Sequence, residues 1–171
     1  MLYMIHYASP LGMLTLTSNE SALTGVWFPN QKYYALPPDA VQKSCPILRQ
    51  TERWLDTYFS GREPEYTPPL LQTGTEFRQA VWAMLLQIPY GTVVTYGQLA
   101  QRLAAQRGMK RMSARAVGGA VGHNPLGIIV PCHRVVGSGG NLTGFGGGID
   151  AKVQLLTLEG VDMSKYHVPH V

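Results

Sequence analysis

The chain opens on short runs of β-forming residues. Tyr3–Tyr7, Met13–Thr17 and Ala22–Phe28 are separated by the turn-prone Ser9-Pro10-Leu11-Gly12 and Ser18-Asn19-Glu20-Ser21. This pattern predicts a meander of three antiparallel strands. Asp39-Ala40 is expected to begin a short helix. From Pro46 to Phe59 the apolar period becomes helical: Ile47, Leu48, Thr51, Leu55, Tyr58 and Phe59 share one face. Pro46 suits the first turn and Gly61 the exit. Residues 62–73 hold three prolines and little periodicity, which predicts a linker and two domains, 1–74 and 75–171.

The second domain reads as mainly helical. Thr75 is a predicted cap for a helix to about Gln87, with Phe77, Val81, Trp82, Leu85 and Ile88 on one face; Pro89-Tyr90-Gly91 ends it. Thr95-Tyr96-Gly97-Gln98 has capping-box spacing and starts a short helix to about Leu103. Ser113 is placed to cap a third helix, Ala114 to Val121, so that the pair forms a helix-turn-helix candidate. Asp150 is the expected cap of the last helix, with Gly160 as its C′ residue. Two glycines, Gly118 and Gly119, sit inside the third helix at about 1 kcal/mol each relative to Ala. That cost suggests that something large approaches the backbone there.

Charge sharpens the division. Residues 1–74 carry five basic and six acidic residues; residues 75–171 carry nine and four. From Phe77 through Ile149 there is no Asp or Glu, while Arg78, Arg102, Arg107, Lys110, Arg111, Arg115 and Arg134 fall in that stretch. One-sided charge of this kind favours a polyanion through counterion release. In 171 residues of ordinary soluble composition, no apolar run is long enough to span a membrane and the N-terminus lacks the pattern of an export signal, so a cytoplasmic protein is expected. A disulfide between the two cysteines, Cys45 and Cys132, is not expected there. Neither cysteine shows ligand spacing with His6, His123, His133, His167 or His170, so no metal and no cofactor is predicted.

The chemistry concentrates at Pro131-Cys132-His133-Arg134. It follows the apolar run Ile128-Ile129-Val130, read as a buried strand, and precedes a loop with seven glycines in twelve residues, Gly137 to Gly148. A thiol is a weak nucleophile until a neighbouring base removes its proton, and imidazole is the usual base. The two backbone-rich surfaces around the cysteine suit a flat, bulky guest.

Pro-Cys-His-Arg-Val after an Ile/Val run, Arg-Ala-Val-Gly-Gly-Ala upstream (115–120) and Leu158-Glu159-Gly160 downstream resemble the O6-alkylguanine-DNA alkyltransferases, also called methylated-DNA–protein-cysteine methyltransferases. The likeness is close from Thr75 to Gly160. The first seventy residues match only in length and general pattern.

The resemblance implies an α/β N-terminal domain, an antiparallel sheet plus helix that is ribonuclease-H-like. A mainly helical C-terminal domain with a helix-turn-helix follows it. It implies DNA repair by a monomer that binds double-stranded DNA, flips an O6-alkylguanine (or O4-alkylthymine) from the stack and moves the alkyl group irreversibly to Cys132. His133 would take the thiol proton through a water, Glu159 would orient His133, and Asn124 would brace the cysteine segment. Tyr96 would donate a hydrogen bond to the flipped base. Arg115 would fill the gap in the duplex, on a helix whose Ala116, Gly118 and Gly119 permit close approach to the minor groove, with Thr95 and Tyr96 also at the DNA. Val130, Pro131, Phe145 and Gly146 would line the substrate pocket. Glu159 at a helix C-terminus opposes the dipole, which favours a specific role over a surface one.

Two departures from the family pattern stand out. The segment Ala104–Met112 is several residues longer than expected and is basic, either touching phosphate or merely lengthening a loop. Phe145 and Gly146 replace a more usual Tyr and Ser or Ala, which predicts tolerance of groups larger than methyl. Three alternatives stay open on sequence: a non-enzymatic binder of alkyl damage, a helix-turn-helix regulator and a Cys-His hydrolase.

Overall fold

The computed structural model describes residues 1–29, 31, 34 and 36–168; His170 lies outside them. The three predicted strands form as β1 (Tyr3–Ser9), β2 (Gly12–Ser18) and β3 (Leu23–Trp27). β1 and β2 pair antiparallel with Ser9 opposite Gly12, whose φ of +107° closes the two-residue turn. The sheet is not purely antiparallel. A fourth strand, β4 (Val41–Gln42), pairs parallel with β1, giving the order β3-β2-β1-β4. The helix expected at Asp39 is replaced by a turn, with Ala40 N–H on the Pro37 carbonyl. The chain gains more by adding to the open edge of β1, where Val41 N–H bonds Leu2 O and Lys43 N–H bonds Met4 O.

Helix α1 (Pro46–Phe59) packs its apolar face on this sheet. Leu48, Leu55 and Tyr58 are fully buried with Leu14, Leu16, Leu23 and Val26 from the strands. Trp54, which the face assignment omitted, is buried too, and its indole N–H reaches Tyr66 O at 2.8 Å.

β3 is the seam of the molecule. On the edge away from β2, Leu23 N–H bonds Pro69 O and Leu71 N–H bonds Leu23 O, while Val26 N–H bonds Pro125 O. Residues 62–73 therefore do more than link: their end lies along a strand edge, and the chain leading to Cys132 docks on that edge through Leu126. The buried core runs without a break from Leu14 to Leu155.

The second half contains α2 (Glu76–Leu85), β5 (Val94–Thr95), α3 (Tyr96–Gln106), α4 (Ala114–Gly122), β6 (Val135–Val136) and α5 (Ile149–Leu158). α2 ends two residues earlier than expected and α3 runs three further. The predicted caps act: Thr75 accepts from Arg78 N–H, Ser113 from Ala116 N–H, and Thr95 with Gln98 closes a full capping box. The Trp82 indole bonds the Ala120 carbonyl at 2.9 Å and ties α2 to α4. Two expectations fail. Asp150 does not cap α5; Gly148, at φ +91°, holds that position and Asp150 lies in the first turn. Residues 128–130 are not a strand but tight turns, with the β-branched Ile128 at φ +71°.

Because the two halves share one core and β3 lends hydrogen bonds to the second, deleting residues 1–70 should give aggregated protein. Sedimentation of the expressed 71–171 fragment checks this; a soluble fragment with full activity contradicts it.

Candidate active site

Cys132 is held by its own backbone. Ile129 N–H bonds Gly127 O, Val130 N–H bonds Leu126 O and Cys132 N–H bonds Val130 O, so the apolar run coils into consecutive turns. Cys132, His133 and Arg134 then form one 3₁₀ turn, not the end of a strand. Asn124 pins this coil from inside. Its Nδ2 donates to Val130 O at 2.9 Å and its Oδ1 accepts Leu126 N–H at 3.0 Å and Gln72 Nε2 at 3.2 Å. Asn124 is buried, and these contacts hold the segment that leads to Cys132.

Behind the cysteine lies a buried polar cluster centred on Glu159. Five donors converge on its carboxylate: Tyr58 OH (2.6 Å), His133 Nε2 (2.6 Å), Arg134 Nε (2.8 Å), Arg134 Nη2 (3.1 Å) and the Gly91 N–H (2.9 Å). Helix geometry delivers the acid: Glu159 is the C-cap of α5, and Gly160 at φ +86° turns the chain away. Arg134 also donates to Ile88 O at 2.7 Å, so it faces inward and is not available to a polyanion. Burial alone would raise the Glu159 carboxyl; the hydrogen bonds from His133 and Arg134 outweigh it and hold the pKa at about 2. Burial lowers His133, and Arg134 and Lys152 add to this against the pull of Glu159. The consistent state is an ionised Glu159 beside a neutral His133. With Nε2–H spent on the carboxylate, Nδ1 carries the lone pair, and that atom is buried with no hydrogen-bond partner.

The thiol itself is protonated at rest. Burial pushes its pKa up; the Asn124 side chain and the Lys152 ammonium pull in the other direction. Lys152 was not singled out by any sequence signal. It is fully buried, donates to Thr143 O at 2.9 Å and is lowered to about 8 by burial.

Cys132 lines a small inner pocket, about 20 Å³, with Phe28, Gln31, Asn124 and Phe145. That volume holds a single water. The pocket shares Gly122 and the loop Gly144–Gly146 with an outer cleft of about 1020 Å³, bordered by Tyr96, Ala114, Arg115 and Gly118. Phe145 stacks edge-on against both Phe28 (5.2 Å) and His133 (6.4 Å). The loop glycines make room for protein as well as for a guest: a Cβ on Gly147 would strike the Phe28 ring at 2.7 Å, and one on Gly146 would meet Gln31 at 2.9 Å. Gln31 thus occupies part of the space that the small residue at 146 suggested would be open. Tyr96 lies against Gly118, and its hydroxyl is raised by burial.

The structure therefore brings Cys132, His133, Glu159 and Asn124 together, with Tyr96 and Arg115 on the cleft and Phe145 and Gly146 on the inner wall. Ala116 and Gly119 are exposed on α4, and beyond its chain neighbours and its own helix backbone no described atom lies within 4 Å of a Cβ placed on Gly119. Thr95 serves as the α3 cap. Val130 and Pro131 line neither the cleft nor the inner pocket. Val130 is buried and offers only its carbonyl, and Pro131 faces a separate cavity behind Arg134.

The 6-O-methylguanine DNA methyltransferase DNA-binding domain matches residues 76–161, and the ribonuclease-like domain of the same proteins matches residues 2–72. The chain is 41% identical over 159 residues to the methylated-DNA–protein-cysteine methyltransferase of Haemophilus influenzae, covering 92% of this chain and 86% of the relative. It is 39% identical to that of Methanosarcina acetivorans, covering 93% and 99%. The crystal structure of Mycobacterium tuberculosis OGT in complex with DNA superposes with a TM-score of 0.82 at 39% identity, over 96% of this chain and 94% of that one. The chain belongs to the methylated-DNA–protein-cysteine methyltransferase family.

Within this family member, sequence reading passed over Tyr58, Gly91, Arg134 and Lys152 as parts of the site. Only Gly91 left a local trace, as the end of a Pro-Tyr-Gly turn: its φ is +78° and a Cβ would press on Glu159 O at 3.1 Å. Among the described residues no group of three or more His, Cys, Asp or Glu could hold a metal.

The Glu159 cluster makes the fold sensitive to acid. A carboxyl held at about 2 against the ordinary 4.5 contributes stability that is complete above 4.5 and is lost as pH falls toward 2. Urea unfolding across that window should show the loss, and Glu159→Gln should remove this part of the slope while lowering stability at neutral pH.

Proposed function

We propose that this chain is a DNA-repair protein that takes the alkyl group from O6 of guanine in duplex DNA onto Cys132, once per molecule, and leaves guanine restored. The observation that carries the reading is the buried thiol at the end of a small pocket, open through a glycine-rich loop to a cleft lined by Tyr96 and Arg115, with a neutral His133 and ionised Glu159 behind it. The names of the curated relatives and the DNA bound to the Mycobacterium tuberculosis protein support it.

The chemistry follows from protonation. A thiol kept protonated by burial is a poor nucleophile, so its proton must leave as the alkyl carbon is attacked. His133 Nδ1, with its free lone pair, accepts that proton through a water, and Glu159 stabilises the imidazolium. The Sγ–C bond forms while the C–O6 bond breaks, and guanine leaves as its anion with a hydrogen bond from Tyr96, whose proton burial retains, before taking a proton from water. The thioether is stable, so the protein is consumed. An intrahelical O6 is out of reach of so enclosed a thiol, which calls for base flipping and opening of the loop 143–148. O4-alkylthymine offers the same alkyl–oxygen bond and is a second substrate.

Residues 1–74 act as the ribonuclease-H-like structural domain and residues 75–171 as the DNA-binding and transfer domain. α3 and α4 form its helix-turn-helix. The bare face of α4 at Ala116 and Gly119 supports close approach to the minor groove, with Arg115 entering the duplex. The protein acts as a cytoplasmic monomer. The long segment between α3 and α4 adds phosphate contacts: Lys110 and Arg111 are exposed and make no ion pair among the described residues, whereas Arg107 is held by Glu76 at 2.8 Å.

Intact-mass spectrometry after incubation with a duplex carrying one O6-methylguanine should show the gain of a single CH2 at Cys132. Cys132→Ser should bind the lesion without that gain, and binding without transfer by the wild type would mark a damage sensor. Replacing Lys110 and Arg111 by Ala should lower the salt slope of duplex binding by about two, with transfer at low salt unchanged. An unchanged slope assigns that segment no phosphate contact.

A further inference from the structure

We infer that Tyr58 is a positioning residue for the transfer reaction, through which the N-terminal half of the chain sets the protonation of His133. This rests on the reading that Cys132 accepts the alkyl group. Tyr58 closes α1 and lies 101 residues from Glu159 in the chain. Its ring is wholly buried, stacked on Trp54 at 5.4 Å and edge-on to Phe59 and Tyr90 at 5.5 and 6.2 Å. Those contacts would hold a phenylalanine equally well. The hydroxyl adds a polar atom to a dry interior, an arrangement that is costly unless the atom has a use or a partner.

Its partner is specific. Tyr58 OH donates to Glu159 Oε2 at 2.6 Å, the same oxygen that receives His133 Nε2 at 2.6 Å, and the phenol oxygen lies 3.4 Å from that nitrogen. The charged and titratable groups facing His133 are Glu159 beyond α5, Arg134 in its own turn, Lys152 on α5, Tyr58 on α1 and the neighbouring Cys132, while Phe145 covers another side with an apolar ring. Two of them share Glu159 Oε2 with His133: Tyr58 at 2.6 Å and, more weakly, Arg134 Nη2 at 3.1 Å, so the phenol is the close competitor for that oxygen. Burial and the adjacent carboxylate keep the phenol protonated, so it acts as a donor throughout.

The consequence is directional. Negative charge on Oε2 is divided chiefly between the phenol and the imidazole, with the longer Arg134 Nη2 contact common to the wild type and the variants. The larger the share taken by Tyr58, the less Glu159 favours imidazolium at rest, and the more completely His133 stays neutral with Nδ1 free to accept the thiol proton. Removing the hydroxyl returns that charge to His133, which then protonates at a higher pH and is blocked as a base over a wider acid range.

Tyr58→Phe in the full chain tests this, with three measurements. The first is ¹⁵N NMR of His133 across pH. The second is the transfer rate at saturating lesion duplex across pH, and the third is duplex affinity. The His133 midpoint and the acid limb of the rate profile should rise together by about one pH unit, equal to roughly tenfold in rate at a fixed pH below both midpoints. Affinity should not change. Placing 3-fluorotyrosine at 58, a stronger donor of the same shape, should move both in the opposite direction, and this arm decides the matter if the Phe variant fails to fold. Titrations that superimpose on wild type in the folded variants overturn the proposal and leave Tyr58 a packing residue. A His133 midpoint that moves in a protein that takes no alkyl group would uphold the control of His133 and overturn the functional reading.

Discussion

One carboxylate organises this molecule. Glu159 sits at a helix C-terminus, where the dipole opposes it, and in an interior where a lone negative charge would be untenable. It is tolerated because its five donors come from three separate segments: Tyr58 on α1, the Gly91 N–H in the turn after α2, and His133 and Arg134 in the turn after Cys132. Each of those segments must be in register for the charge to be satisfied. The cluster therefore acts as a check on assembly, since a misplaced segment leaves a buried anion short of a donor.

The same constraint explains why the two halves share a core. Matches to two separate domain families divide the chain near residue 74, yet β3 gives hydrogen bonds to the segment 69–71 on one side and to Pro125 on the other. Phe28, immediately after β3, then wedges between Gly127 and Gly147, where a Cβ at either position would collide with its ring. A strand edge and one aromatic side chain from the first half thus fix the floor and the wall of a pocket whose nucleophile belongs to the second.

How much of this was legible depended on sequence distance. Features written within four residues were readable: the caps at Thr75, Thr95 and Ser113, the α1 face, the Gly160 exit. Cys132 and His133 stood out because they are adjacent, and Glu159 through the Leu-Glu-Gly of the family resemblance, with its position at a helix C-terminus as mild support. What the chain concealed is long-range. β4 is two residues long and exists only because β1 has an open edge. Residues 128–130 carry the composition of a buried strand, but Asn124 takes the Val130 carbonyl that a ladder would have used. Tyr58 and Lys152 have the spacing of ordinary helix residues, and nothing local distinguishes a core tyrosine that meets only rings from one that meets a carboxylate. The glycine loop misled in a further way. Its glycines suggested room for a guest, and part of that room is taken by Phe28 and Gln31.

If the transfer proposed above consumes the protein, the protonation pattern has a matching logic. An exposed thiolate would react with any soft electrophile or oxidant, and each such event would waste a whole molecule. Burial keeps Cys132 as a thiol in a pocket that holds one water, and the base beside it is equally quiet, a neutral imidazole with one nitrogen committed to Glu159. Neither group is activated alone. In the proposed transfer, activation needs the proton to move and the developing charges to be met at the same moment, by Glu159 behind His133 and by Lys152 near the sulfur. Reactivity in this arrangement resides in the coupling of the two residues, which is available only to a group that has already entered the pocket. On that reading, the buried hydrogen bonds gathered on Glu159 serve a carboxylate that acts through His133.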